Sequence, residues 1–180
     1  NGQATVAIGN GTVTVLGGVG GGYAASTDGT NWTVGNSGNA GGNAVYRGVI
    51  GGDKISLVKY NNSAYSATIY NYTLTTNTWS TASATYSSNY FYDTSYPSYK
   101  YVNGNYFVGS QNPGYSTSTD AVSWTPVSTS VTGTHDFSFG NSKYVMATSG
   151  GVYYGSTPTS MGSVASPFFN YESTSGRNFV

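Results

Sequence analysis

Four short turns, each flanked on both sides by alternating apolar residues, constrain this chain more than any other feature of its sequence. They are Gly9-Asn10-Gly11, Gly51-Gly52-Asp53, Asn103-Gly104-Asn105 and Gly140-Asn141-Ser142. Gly and Asn accept the positive φ angles that two-residue hairpin turns demand. Aligned on Asn10, Gly52, Asn103 and Asn141, the chain places Ile8, Ile50, Tyr101 and Phe139 two residues before the anchor. Three residues after it stand Val13, Ile55, Tyr106 and Tyr144, and five after it Val15, Leu57, Val108 and Met146. Apolar side chains at alternate positions on both arms are the pattern of a half-buried hairpin. Helical periodicity is absent. The expectation is an all-β chain of about four antiparallel meanders, with approximate repeats 1–42, 43–94, 95–132 and 133–167 in one domain or fragment spanning 1–180.

Composition narrows what such a chain does. Only 7% of residues are charged and the net charge is zero, with six Lys+Arg against six Asp+Glu. That excludes the basic stripe needed to displace counterions from nucleic acid, and the polybasic segment needed at an anionic membrane surface. No apolar run approaches the roughly 20 residues of a membrane-spanning helix. Aromatic content of 16% separates the chain from disordered sequences of similar polarity. With no Cys, neither disulfides nor thiolate ligands enter the argument. The start at Asn1-Gly2-Gln3 suggests a processed chain or a piece of a longer one.

A second landmark follows each hairpin. Trp32, Trp79 and Trp124 lie 21 to 27 residues beyond their anchors, and Met161 takes the equivalent place in the fourth unit. Ser26-Thr27-Asp28-Gly29-Thr30-Asn31 precedes Trp32, and Ser118-Thr119-Asp120-Ala121-Val122-Ser123 precedes Trp124. The second unit reads Thr73-Leu74-Thr75-Thr76-Asn77-Thr78-Trp79, keeping the Trp spacing without the acid. These segments resemble the Asp-box turn, Ser-x-Asp-x-Gly-x-x-Trp, of sialidase-like β-propellers, with Gly29 one residue early. A shortened form is similar to repeats of bacteriophage tail and surface-fibre proteins. The resemblance implies a β-propeller-like array of about four blades, or part of a larger propeller. The larger propeller is favoured, because residues 168–180 read as the start of a further blade. It also implies a structural role for Ser26, Asp28, Gly29, Trp32, Trp79, Ser118, Asp120 and Trp124. The physical basis is local: Ser and Asp hydrogen-bond nearby amides as Asx turns do, while Trp packs inward.

The sialidase likeness raises the question of catalysis. As that family implies, the chemistry needs three Arg around a carboxylate, and this chain has only Arg47 and Arg177. Glycoside hydrolysis in general needs two facing carboxylates. With Asp28, Asp53 and Asp120 assigned to turns, Asp93, Asp136 and Glu172 remain, without supporting spacing. His135 beside Asp136 has no activated Ser to serve, and one His with no Cys makes a transition-metal site unfavourable. Gly17-Gly18-Val19-Gly20-Gly21-Gly22 lacks the Lys and helix of a phosphate loop. No catalytic residue, metal or cofactor is expected.

The connection from Trp79 to Asn103 carries Tyr86, Tyr90, Phe91, Tyr92, Tyr96 and Tyr99 among Ser, Thr and Asn. Tyr with Ser and Asn makes an adaptable contact surface. Tyr86, Tyr90, Phe91, Tyr92 and Tyr96 are therefore the candidate contact residues, with blade-interface packing as the competing reading; Tyr99 and Tyr101 fit the core register. Asn10, Asn31, Asn61 and Asn71 each open an N-glycosylation acceptor pattern. The resulting expectation is a non-catalytic virion or extracellular surface component, a fibre, tail or decoration domain acting in assembly or receptor binding. Its partners would be other virion or surface-assembly proteins or a cell-surface glycan, with no nucleic acid and no membrane insertion. The alternatives are a secreted carbohydrate-binding adhesin propeller and a fragment of an Asp-box glycoside hydrolase.

Overall fold

The computed structural model describes residues 4–18, 22–36, 46–60, 66–85, 98–109, 114–130, 133–148 and 151–163. All regular structure in these residues is β-strand. The first sheet holds β1 (Ala4–Gly9), β2 (Thr14–Gly18), β3 (Gly22–Ser26) and β4 (Thr33–Asn36). The second holds β5 (Tyr46–Gly51), β6 (Lys54–Tyr60), β7 (Ser66–Thr73) and β8 (Thr78–Thr85). The third holds β9 (Tyr99–Val102), β10 (Asn105–Gly109), β11 (Tyr115–Ser118) and β12 (Thr125–Val127). The fourth holds β13 (Thr134–Gly140), β14 (Lys143–Thr148), β15 (Gly151–Thr157) and β16 (Ser160–Ser163). Each sheet is a four-stranded antiparallel meander in sequence order.

Three of the first hairpins close as two-residue turns. Gly51 pairs with Lys54, Val102 with Asn105, and Gly140 with Lys143. Asn103 and Gly104 both take positive φ, as do Asn141 and Ser142, which matches the right-handed strand twist. The first hairpin departs from the expected two-residue turn. Gly9 pairs with Thr14, so four residues, Asn10 to Val13, form its loop. The cause is the Asn10 side chain, whose Oδ1 accepts the amides of Thr12 (3.0 Å) and Val13 (2.9 Å), while the Asn10 amide donates to the Val13 carbonyl (3.2 Å). Val15, not Val13, therefore opposes Ile8 as Ile55 opposes Ile50.

The sheets pack face to face through three apolar clusters, one per junction. Between sheets one and two lie Val13, Val15, Ala25, Ile55, Leu57, Tyr70 and Tyr72. Between two and three lie Val49, Val58, Ile69, Tyr99, Tyr106 and Val108. Between three and four lie Phe107, Tyr115, Phe137, Tyr144 and Met146. Strand alternation sends neighbours to opposite junctions: Leu57 faces backward and Val58 forward, Tyr106 backward and Phe107 forward. Each fully buried Leu, Ile or Phe contributes about 1.5–3 kcal/mol of burial. Sheet-to-sheet packing is most extensive between the first strands, β1 on β5, β5 on β9 and β9 on β13. First strands are thus innermost and fourth strands lie at the rim, the arrangement of a β-propeller-like array of meander blades.

Candidate functional site

The β3–β4 and β11–β12 rim turns hold the two acid-bearing boxes. In the first, Ser26 Oγ donates to Asp28 Oδ1 (3.1 Å) and accepts the Gly29 amide (2.8 Å). Asp28 Oδ1 also accepts the amides of Thr30 (2.8 Å) and Asn31 (2.7 Å), and its Oδ2 accepts Asn31 Nδ2 (2.7 Å). The third sheet repeats the pattern. Ser118 Oγ donates to Asp120 Oδ1 (2.9 Å), which accepts the amides of Val122 and Ser123, each at 2.8 Å. Gly29 (φ +74°) and Ala121 (φ +58°) occupy the same left-handed position.

These bonds set the electrostatics. The Asn31 amide, its side chain and the Thr30 amide hold the Asp28 carboxyl well below the usual carboxylate range. Burial works to raise Asp120, but the donors from Ser123, Val122 and Ser118 outweigh it and leave the carboxyl lowered. A carboxylate whose lone pairs are taken up by fixed donors is a poor proton acceptor. The other described acids are also engaged: Asp53 with Lys54 (2.9 Å), and Asp136 with Lys100 (3.1 Å) and the Phe137 amide (2.8 Å). Asp93 and Glu172 lie outside the described residues.

The tryptophans differ between units. Trp79 packs at the first junction, 4.4 Å from Tyr23 and 5.2 Å from Tyr72 between ring centroids. Trp124 packs at the second junction, 6.4 Å from Tyr99. Their indole N–H groups are buried without an acceptor among the described residues. Trp32 lies on no described junction, and its Nε1 donates to the Gly29 carbonyl of its own turn (3.2 Å). Met161 packs at the third junction. The second sheet's turn is a tighter one, in which the Asn77 amide donates to Thr73 (2.9 Å) and Asn77 itself takes φ +54°.

Sequence reasoning missed the bonds that tie one sheet to the next sheet's rim turn. Asn71, fully buried in β7, accepts from Ser56 Oγ (2.5 Å) and donates to the Ala121 carbonyl (2.8 Å). Tyr115 of β11 donates to the Pro158 carbonyl in the β15–β16 turn (2.8 Å). Nearer the axis, the Tyr106 hydroxyl donates to the Gly51 carbonyl. Tyr144 accepts from Asn103 Nδ2 (3.1 Å) and Asn105 Nδ2 (2.8 Å). The one signal available was an Asn inside a long apolar strand pattern. Burial also removes Asn71 as a glycosylation acceptor in the folded chain, and Asn31 spends its amide on Asp28. Tyr99 is buried, and Tyr101 packs over Gly51, where an added Cβ would fall 2.4 Å from its ring. Tyr86, Tyr90, Phe91, Tyr92 and Tyr96 lie outside the described residues.

No protein-family model matches the chain, and no curated protein matches it in sequence. Among solved structures it is similar to that of a streptogramin B lyase, with a TM-score of 0.52 and 8% identity, covering 87% of this chain and 55% of that one. The chain thus spans about half the length of the structure it matches. At this identity the likeness is one of fold, and it agrees with the radial packing of four-stranded meanders.

Proposed function

We propose that the chain is a non-catalytic display scaffold of an extracellular surface assembly, as in a virion's fibre, tail or decoration domain, and that it acts in assembly or receptor binding. The observation that supports this reading is the employment of the acids. Asp28, Asp53, Asp120 and Asp136 are each held by local donors or a Lys partner, so their lone pairs are already engaged and each is a poor proton acceptor. Rim turns locked by their own side chains and by the preceding sheet make a rigid support for exposed loops. Low charge and abundant Tyr, Ser and Asn suit a surface that binds through shape and hydrogen bonds. The test is immunogold labelling of particles purified from the source culture, using antibody raised against the chain. Label on the particle surface is the expected result. Particles free of label, with the chain also absent from them by mass spectrometry, would refute the virion reading.

A further inference from the structure

The chain holds three Asn-Gly pairs, Asn1-Gly2, Asn10-Gly11 and Asn103-Gly104, and the last two lie among the described residues. Such a pair carries its own electrophile and nucleophile: the side-chain amide carbon of Asn and the backbone nitrogen of the next residue. Gly has no Cβ to obstruct that nitrogen and leaves its peptide plane free to turn. Both pairs follow the first strand of their sheet, yet the fold treats them differently.

Asn103 is tied to the next sheet. Its Nδ2 donates to the Tyr144 hydroxyl (3.1 Å), and its carbonyl oxygen accepts from the Tyr144 hydroxyl (3.2 Å) and from Asn105 Nδ2 (3.0 Å). Tyr144 is itself buried at the third junction. Asn103 and Gly104 form a closed two-residue turn at φ +47° and +79°. A rotation that brings the Gly104 nitrogen onto the Asn103 side chain must open that turn and break those ties.

Asn10 lies in a four-residue loop whose bonds are all its own. Its Oδ1 accepts the amides of Thr12 (3.0 Å) and Val13 (2.9 Å) and the Thr12 hydroxyl (3.1 Å), and its amide donates to the Val13 carbonyl (3.2 Å). Among the described residues, neither Asn10 Nδ2 nor the Gly11 amide has a hydrogen-bond partner. Asn10, Gly11 and Thr12 are exposed, and a Cβ added at Gly11 would meet nothing within 4 Å. The bonds that do form fall on Oδ1, the oxygen that takes up negative charge when a nucleophile adds to Cγ.

We infer that Asn10 is a site of spontaneous deamidation in the folded chain and that Asn103 is protected from it. The Gly11 nitrogen loses its proton to solvent base and bonds Cγ of Asn10. The Cγ–Nδ2 bond then breaks, ammonia leaves, and a succinimide ring is closed. Water opens the ring at either carbonyl, giving aspartate or isoaspartate. The product places a negative charge on an exposed hairpin of a chain whose net charge is zero, and isoaspartate also lengthens the loop backbone by one carbon. This inference concerns the chemistry of one loop and does not depend on the virion reading.

The folded chain, held in mildly alkaline buffer and sampled over time, is digested and mapped by mass spectrometry with electron-transfer fragmentation, which separates aspartate from isoaspartate. Asn10 should convert about tenfold faster than Asn103 or more, the worth of two ordinary hydrogen bonds lost on opening. In concentrated urea the gap should close. Tyr144→Phe keeps the ring and removes the hydroxyl, so it should speed conversion at Asn103 and leave Asn10 unchanged. Equal rates at the two sites of the folded chain would overturn the inference, as would a gap that persists in urea. So would an Asn10 that stays intact while the unfolded chain converts, or an Asn103 rate that Tyr144→Phe does not move.

Discussion

Asn71 and Ala121, fifty residues apart in the chain, are joined by a buried hydrogen bond of 2.8 Å that ties the third strand of sheet two to the rim turn of sheet three. The donor amide is held in place by Ser56, whose hydroxyl occupies the Asn71 carbonyl oxygen. A buried polar group left without its bonds costs free energy, and both polar atoms of the fully buried Asn71 side chain have partners. Replacing Asn71 by Ala leaves both Ser56 and the Ala121 carbonyl without that partner. Asn71→Ala should cost about 2–3 kcal/mol, read as a lower urea midpoint with an unchanged slope.

Tyr115 performs the corresponding task at the third junction, bonding Pro158 from a buried position. Tyr115→Phe keeps the ring against Phe107 and Phe137 and removes only the hydroxyl, at a cost of about 1 kcal/mol. Burial pushes the Tyr115 hydroxyl up to about 12 from 10.0. A phenol raised in the folded state favours folding fully below its unfolded value and loses that contribution as pH climbs through the folded one. Stability should therefore fall above about pH 10, and Tyr115→Phe should reduce that fall in pH-dependent denaturation without abolishing it, because burial also raises Tyr106 and Tyr23.

The two box carboxylates act at the other end of the scale. Both are lowered in the folded chain, so their contribution is complete above the ordinary carboxylate value, about 3.9, and is lost as pH drops below it. Thermal melts should be level from neutral pH to about pH 5 and decline below about pH 4. The double variant Asp28→Asn, Asp120→Asn should be less stable at neutral pH and should lose most of that acid-side slope.

Much of this was legible because it is local. The Ser-Asp boxes, the positive-φ turns and the alternating strand faces follow from residues within a few positions of one another. The first hairpin was misread because an Asn side chain can cap a four-residue loop as readily as Asn and Gly can make a two-residue one. The Asn71 and Tyr115 links were invisible for a different reason. Nothing in a strand sequence says which sheet its buried polar residue will meet, or which carbonyl of that sheet points inward.

Ser142 sits at φ +58° in the fourth hairpin turn, exposed and without the freedom of glycine. The matching position in sheet three is Gly104. Ser142→Gly relieves left-handed strain, and after the entropy that glycine loses on folding it should gain about 0.5–1 kcal/mol. A rise in melting temperature checks it.

Radial packing of the four sheets is the central claim, and paired distances test it most directly. Spin labels on the cysteine-free chain at Ala7 and Lys100 report the inner separation of sheets one and three, and labels at Thr33 and Thr125 report their separation at the rim. All four positions are exposed. Electron–electron resonance should give a clearly longer rim distance than inner distance, as blades fanning from an axis require. Equal distances would mean parallel stacking and would contradict the propeller-like arrangement.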